Sequence, residues 1–267
     1  EIGDKVGYPL FMKPYDGGAW VGVTAIKDKE QLLSAYNESG TRVMHLQEGV
    51  VPFDSFVRCV GLGPQFRCVN YDPDAPLHDR YRMEENFLAP EVAQRLQDIT
   101  MVINAFFGWD FNSCESLLSK GEWHPIDFAN ACPDSQVTSL HYHFPWLIKA
   151  NLRWSIFCAA TRRRPVTNLK WDEYFAIADQ DISLDEKLAA YVKLARAHFD
   201  VDAFEKFCKQ HLGHLDDVAD AYFATDEVRA AIREKVASLF PAHEHDEFTE
   251  LFWNRIQDWR AFNRKAS

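Results

Sequence analysis

Residues 114–130 read Cys-Glu-Ser-Leu-Leu-Ser-Lys-Gly-Glu-Trp-His-Pro-Ile-Asp-Phe-Ala-Asn. Apolar runs on either side of Ser119-Lys120-Gly121-Glu122 predict two strands, Asp110 to Leu118 and Trp123 to Ala129, joined by a tight hairpin turn. Glu115 lies in the first run and Asp127 in the second, so strand pairing can set two carboxylates side by side. Like charges facing each other in a partly buried sheet repel unless one is protonated or a cation bridges them. Two carboxylates and the side-chain carbonyl of Asn130 are oxygen donors of the kind that suit Mg²⁺ or Mn²⁺. The same residues also allow a purely structural reading, with one acid turned to solvent and the other capping a turn.

Around this hairpin, glycine and proline divide the chain. Residues 1–150 hold 11 of the 12 glycines and 10 of the 12 prolines, and residues 151–267 hold the remainder. Turn-makers punctuate short strands and are scarce in helices, so the front is expected to be strand-rich and the back helical. Further strands are predicted at Leu10 to Lys13, Arg42 to Gln47, Ser55 to Gly61 and Gln65 to Tyr71, with a loop at 77–82 and a helix from Pro90 to Phe107. Sheet, helix and sheet make an α+β unit over 1–150. In the back, Leu184, Leu188, Tyr191 and Leu194 recur at helical spacing, as do Val228, Ile232, Val236 and Phe240. Asp246 to Asn263 reads as a last helix, and Thr225 before Asp226-Glu227 is a helix-start signal. Arg162-Arg163-Arg164, ahead of Pro165, reads as a solvated helix end.

Two more stretches of the front can carry chemistry. Leu10-Phe11-Met12-Lys13 ends an apolar strand in a lysine, which is costly to bury unless an anion meets its ammonium. The loop that follows contains Gly17, Gly18 and Gly22, and backbone N–H groups in such a loop can approach phosphate oxygens unobstructed. A glycine hairpin beside a snorkelling lysine explains the same residues. The spacing is neither a Walker loop nor a dinucleotide turn. Next, the strand at 42–47 runs into Gln47-Glu48-Gly49-Val50 and, past Pro52, to Asp54. Unpaired backbone there could read an adenine edge, with Asp54 accepting from ribose hydroxyls; a strand, a turn and an exposed acid need no such role.

The chain has 267 residues, 47% of them hydrophobic, and a net charge of −11. A basic surface large enough for general nucleic-acid binding does not fit that sum, so no nucleic-acid partner is expected. No apolar run reaches the length of a membrane span; Met101 to Trp109 is short and carries Asn104. Glu1-Ile2-Gly3-Asp4-Lys5 does not read as a secretory signal and the six cysteines lack any C-x-x-C pair, so reduced thiols and a cytoplasmic setting are expected. His141 and His143, His211 and His214, and His243 and His245 lack zinc-site spacing; His141 and His143, soon after the hairpin, are the candidates for substrate contact.

The three chemical pieces, in this order, resemble the ATP-grasp superfamily of ATP-dependent ligases over residues 8–135. The resemblance implies an ATP-grasp-type two-subdomain unit with antiparallel sheets over 1–150, followed by an all-helical region over 151–267. It implies ATP and Mg²⁺ (or Mn²⁺) as cofactors, and a small carboxylate activated as an acyl phosphate for attack by an amine, or less often a thiol. Lys13 then corresponds to the lysine on the phosphates, Gly17, Gly18 and Gly22 to the mobile loop, and Gln47, Glu48 and Val50 to the adenine hinge. Asp54 becomes the ribose acid, and Glu115, Asp127 and Asn130 the metal ligands. The spacing of Asp127 and Asn130, three apart rather than two, requires a strand end or bulge. No arginine precedes Glu115, so Arg58 and Arg67 are the replacements expected to face the acyl phosphate. The domain that usually precedes this unit is expected to be missing. Two other readings keep the site: a small-molecule kinase, or a non-catalytic nucleotide-binding module.

Overall fold

Alternation of apolar and polar residues decides the first layer. In the computed structural model, which describes residues 2–16 and 21–266, strand β1 (Leu10–Pro14) buries Leu10, Met12 and Pro14 and leaves Phe11 and Lys13 on its other face. It is the centre of a three-stranded sheet, flanked by β2 (Thr24–Ile26) and β3 (Met44–Glu48), both antiparallel to it. Leu10, Met12 and Ile26 form a small core, with Leu32 and Ala35 of helix α2 (Lys29–Glu38) packed against it. Asp28 caps α2 by accepting from the Gln31 amide at 2.8 Å. A short helix, α1 (Ile2–Val6), precedes β1.

The second sheet has four strands in the order β5-β4-β6-β7: β4 (Ser55–Leu62), β5 (Gln65–Asn70), β6 (Phe111–Ser119) and β7 (Glu122–Asp127). β4 and β5 pair antiparallel through a two-residue turn, Gly63-Pro64, with Arg58 opposite Val69, Cys59 opposite Cys68 and Val60 opposite Arg67. At Gly63, φ is +54° and an added Cβ would lie 2.4 Å from the Trp154 ring, so only glycine fits. The β6–β7 hairpin turns at Lys120 and Gly121, both at positive φ, as the twist of a two-residue connection demands. Helix α3 (Pro90–Phe107) has the bounds its sequence predicts, opened by a proline and closed by left-handed Gly108.

Register sorts the side chains of β4 and β5. Val60, Leu62 and Val69 enter the main core with Leu147, Trp154 and Phe157 of helix α5 (Phe144–Thr161). Cys59, Gly61 and Cys68 face the other way, toward α3; the Cys68 sulfur lies 3.8 Å from the Ala93 carbonyl oxygen.

From α5 onward the chain is helical: α6 (Trp171–Ala178), α7 (Leu184–Phe199), α8 (Val201–His211), α9 (Leu215–Tyr222), α10 (Asp226–Ala237) and α11 (His245–Ala266), after the single turn α4 (Val137–Leu140). The protein is thus α+β, with antiparallel sheets and a helical C-terminal part. Val228, Ile232 and Val236 pack against Phe252, Ile256 and Trp259, as their spacing predicts. Leu184 departs from its expected stripe: it is the first residue of α7 and stands exposed, while Ala195 and Phe199 carry the buried contact. Arg163 is no solvated helix end. Its guanidinium pairs with Asp200 and lies over the Trp154 ring at 5.2 Å.

Two compact units emerge, residues 1–54 with 117–124, and residues 55–116 with 125–267. The compositional break near residue 150 is a change of secondary structure, whereas the division between units falls at Asp54 and within the β6–β7 hairpin. No helix among the described residues is long and apolar enough to cross a membrane.

Candidate functional site

In the first unit the candidate residues lie on one sheet face and along one edge. Lys13 stands opposite His45 and Phe11 opposite Gln47, so Lys13 and Gln47 share the face turned away from α2. Among the described residues no side chain pairs with the Lys13 ammonium. Gly22 closes the glycine loop next to Pro14, while Gly17 and Gly18 lie outside the described residues. At the loop's start Asp16 accepts from Arg42 at 2.9 Å, and that bond holds its carboxyl below the usual range. Arg42 is a cation beside the loop that sequence reasoning did not single out.

β3 extends one residue beyond its prediction, to Glu48. Gln47 and Glu48 are therefore strand residues rather than an unpaired stretch, and the Gly49 amide donates to the Pro9 carbonyl at 2.8 Å. Because β3 is an edge strand, only its outer backbone edge lies outside the ladder. Val50 follows, half-buried, and Asp54 is exposed with its amide donating to the Leu118 carbonyl at 2.7 Å. Ser119 donates to the Pro52 carbonyl at 2.8 Å, tying the 49–54 connector to the hairpin tip.

The second unit holds the arginines and the acids. Arg58 and Arg67 are on the same face of neighbouring strands, the face that carries Val60 and Val69. Arg58 donates from Nε to the Ser113 hydroxyl at 3.1 Å and from Nη1 to the Tyr81 hydroxyl, and its Nη1 lies 3.7 Å from Glu115 Oε1. The arginine side chain is 11% exposed and that of Glu115 14%, so little water screens the pair. Burial pushes the Tyr81 phenol well above its ordinary range and keeps it neutral beside the guanidinium. An arginine therefore does stand at Glu115, supplied by β4 and not by the preceding residues of β6.

Asp127 and Asn130 meet where β7 ends. The Asn130 amide nitrogen donates to Asp127 Oδ1 at 3.0 Å and to the Ser113 carbonyl at 3.5 Å. That orientation leaves the amide oxygen of Asn130 as an acceptor. Glu115 and Asp127 supply carboxylate oxygens and Asn130 an amide oxygen, a donor chemistry that fits a hard divalent cation. Among the described residues no three His, Cys, Asp or Glu side chains gather as a metal site, and the histidine pairs form none.

Arg67 is anchored by a relay that the sequence conceals. Its Nε donates to His143 Nδ1 at 2.9 Å, and its Nη2 pairs with Glu85. His143 Nε2 is 2.9 Å from the Arg82 carbonyl, which can only accept, so the ring is neutral with its proton on Nε2. Burial, with the Arg67 charge second, pushes the His143 pKa down to about 3. His141, also buried, is pushed down to about 2 for the same leading reason, with Arg255 the next cause. Neither imidazole is placed for substrate contact: both are inside the fold, and His143 instead orients an arginine. Tyr81, Glu85 and Ser113 were not legible as partners, because Tyr81 and Glu85 come from a segment with no periodicity.

No family model matches the sequence, and no curated protein is significantly similar to it. Among solved structures, the chain is similar to D-alanine–D-alanine ligase from Helicobacter pylori, at 15% identity and a TM-score of 0.38, over 52% of this chain and 45% of that one. It is similar to D-alanine–D-alanine ligase from Bacillus anthracis at 18% identity and a TM-score of 0.42, over 74% and 58%. VanG D-Ala:D-Ser ligase from Enterococcus faecalis gives 18% identity and a TM-score of 0.41, over 73% and 51%. The chain spans about half the length of these ligases. At such scores the likeness carries no argument, and the functional reading rests on the residues themselves.

Proposed function

We propose that this chain is an ATP- and Mg²⁺-dependent ligase of the ATP-grasp type, which activates a small carboxylate as an acyl phosphate for attack by an amine. The observation that carries the reading is the cluster Arg58, Ser113, Glu115, Asp127 and Asn130 on three neighbouring strands and the turn after them. A largely buried arginine beside one acid, linked through Ser113 to Asn130 and the second acid, is a charge pattern that suits phosphoryl transfer.

In the reaction, a substrate carboxylate oxygen attacks the γ-phosphorus of ATP and ADP leaves. The amine then attacks the carbonyl carbon of the acyl phosphate, and inorganic phosphate leaves. Lys13, with the Gly17, Gly18 and Gly22 loop, is assigned to the nucleotide phosphates, where its ammonium offsets their charge. Gln47, Glu48 and Val50 are assigned to the adenine through the outer edge of β3, and Asp54 to the ribose hydroxyls. Arg58 and Arg67 are assigned to the transferring phosphoryl and the acyl phosphate, whose charge is greatest while the bond to ADP breaks. Glu115, Asp127 and Asn130 would hold Mg²⁺, which supplies charge neutralisation for the phosphates.

The test is calorimetric titration with Mg²⁺ and a non-hydrolysable ATP analogue, on the wild type and on Asp127→Ala. Metal-dependent binding that is lost in the variant supports the site. ATP-dependent formation of a hydroxamate from a panel of carboxylates in hydroxylamine then supports the acyl phosphate. Phosphorylated alcohols without hydroxamate would replace the ligase by a kinase. Absence of nucleotide binding, in this chain and in any longer natural chain containing it, would overturn the reading.

A further inference from the structure

The face of β4 and β5 that points away from the arginines holds two thiols in register. Cys59 and Cys68 are directly opposite each other on antiparallel strands, so their side chains leave the sheet on the same side. Directly opposed residues in an antiparallel pair have Cα atoms about 4.5–5.5 Å apart, inside the roughly 4.4–6.8 Å that a disulfide spans. Both sulfurs are reduced, Cys59 fully buried under α3 and Cys68 half-buried on β5, which is the edge strand of its sheet.

We propose that Cys59 and Cys68 form a peroxide-responsive dithiol, in which hydrogen peroxide oxidises Cys68 and Cys59 resolves it to a cross-strand disulfide. The pair is set by the register of β4 and β5 and does not depend on the proposed ligase activity.

The surroundings divide the two roles. A hydrogen bond from the Cys59 thiol, followed by one from Gln97 and the charge of Arg67, holds the Cys68 thiol below its ordinary range and favours the thiolate. Burial holds Cys59 well above its ordinary range, so it remains a thiol until a partner sulfur is oxidised. The Cys68 thiolate attacks one peroxide oxygen, the O–O bond breaks, and the released hydroxide takes up a proton to leave as water. Cys68 is then a sulfenic acid. The Cys59 sulfur attacks the Cys68 sulfur, the S–O bond breaks, and the hydroxyl leaves with the Cys59 proton as a second water. The pair loses two electrons and one peroxide is reduced to two waters. The crosslink would lie one residue from both Arg58 and Arg67.

Trypsin cuts after Arg58, Arg67 and Arg80, and therefore separates the two cysteines into peptides 59–67 and 68–80. Native protein treated with stoichiometric hydrogen peroxide, alkylated and digested without reductant, should yield those peptides joined, two hydrogens lighter than their sum. Cys59→Ala should abolish the joined pair and leave a Cys68 sulfenic acid that dimedone traps. Cys68→Ala should leave Cys59 reduced. The same treatment of protein unfolded in guanidinium should scatter the disulfides over all six cysteines. If the native wild type oxidises only at exposed Cys132, or joins Cys59 to Cys114, the proposal fails. The wild-type map decides this even where a variant does not fold.

Discussion

Substituting His143 by asparagine should remove a proton-linked loss of stability at mildly acid pH. The imidazole is 2% exposed and accepts from Arg67 at Nδ1, so charging it in the folded state costs both desolvation and that hydrogen bond. Its pKa falls from an ordinary 6.5 to about 3 on folding. Between those values the unfolded chain binds a proton that the folded chain refuses. Stability is therefore complete above pH 6.5 and declines as the pH falls toward 3. Each pH unit in that window costs about 1.4 kcal/mol per such histidine, so acidifying from pH 7.5 to 5.0 should cost about 2 kcal/mol through His143 alone. His141, pushed down to about 2, contributes a similar loss in the same direction. The assay is urea unfolding followed by tryptophan fluorescence at pH 7.5 and pH 5.0. His143→Asn keeps a polar group for Arg67 but cannot titrate. It should be less stable than wild type at pH 7.5, while its loss on acidification should be smaller by about 2 kcal/mol. An equal acid-induced loss in wild type and variant would refute the buried, neutral assignment of His143.

Four further outcomes follow from other contacts. Trp154 is 5% exposed and meets the rings of Phe157, Phe199 and Phe204, so Trp154→Ala should cost about 3–5 kcal/mol in urea unfolding. Ser183 and Glu186 form a reciprocal capping box at the start of α7, and Ser183→Ala should cost about 1 kcal/mol in the same measurement. Lys13→Ala should weaken binding of the non-hydrolysable ATP analogue roughly ten- to hundredfold by calorimetry, the value of a hydrogen bond to a charged partner. Arg58→Lys keeps the charge but cannot reach Ser113, Tyr81 and Glu115 with one planar fork. It should lower hydroxamate formation by roughly a hundredfold while changing analogue binding by less than about threefold.

Features set over a few consecutive residues are legible in the chain without its fold. Pro90 and Gly108 bracket α3 because each fixes or frees the local backbone, and Lys120-Gly121 closes a hairpin for the same reason. The spacing of Val228, Ile232 and Val236 reports a buried helix face whatever it packs against. The lysine in β1 and the acids of β6 and β7 were equally visible, since strand and residue type sufficed to name them. β2 and α2 were not read at all. β2 has three residues of which only Ile26 is buried, and α2 buries none fully, so neither leaves a strong hydrophobic period.

Tertiary structure alone decided the partners. Arg58 finds Ser113, Tyr81 and Glu115 from separate segments, and Arg67 finds a histidine 76 residues away. These meetings depend on strand order and register, which local periodicity does not encode. The same register puts Cys59 against Cys68. Burial of His141 and His143, and the pairing of Arg163, likewise follow from what covers them. A polar residue's sequence neighbourhood states its chemistry, but its charge state and partner are fixed by the dielectric and the groups that the fold brings to it.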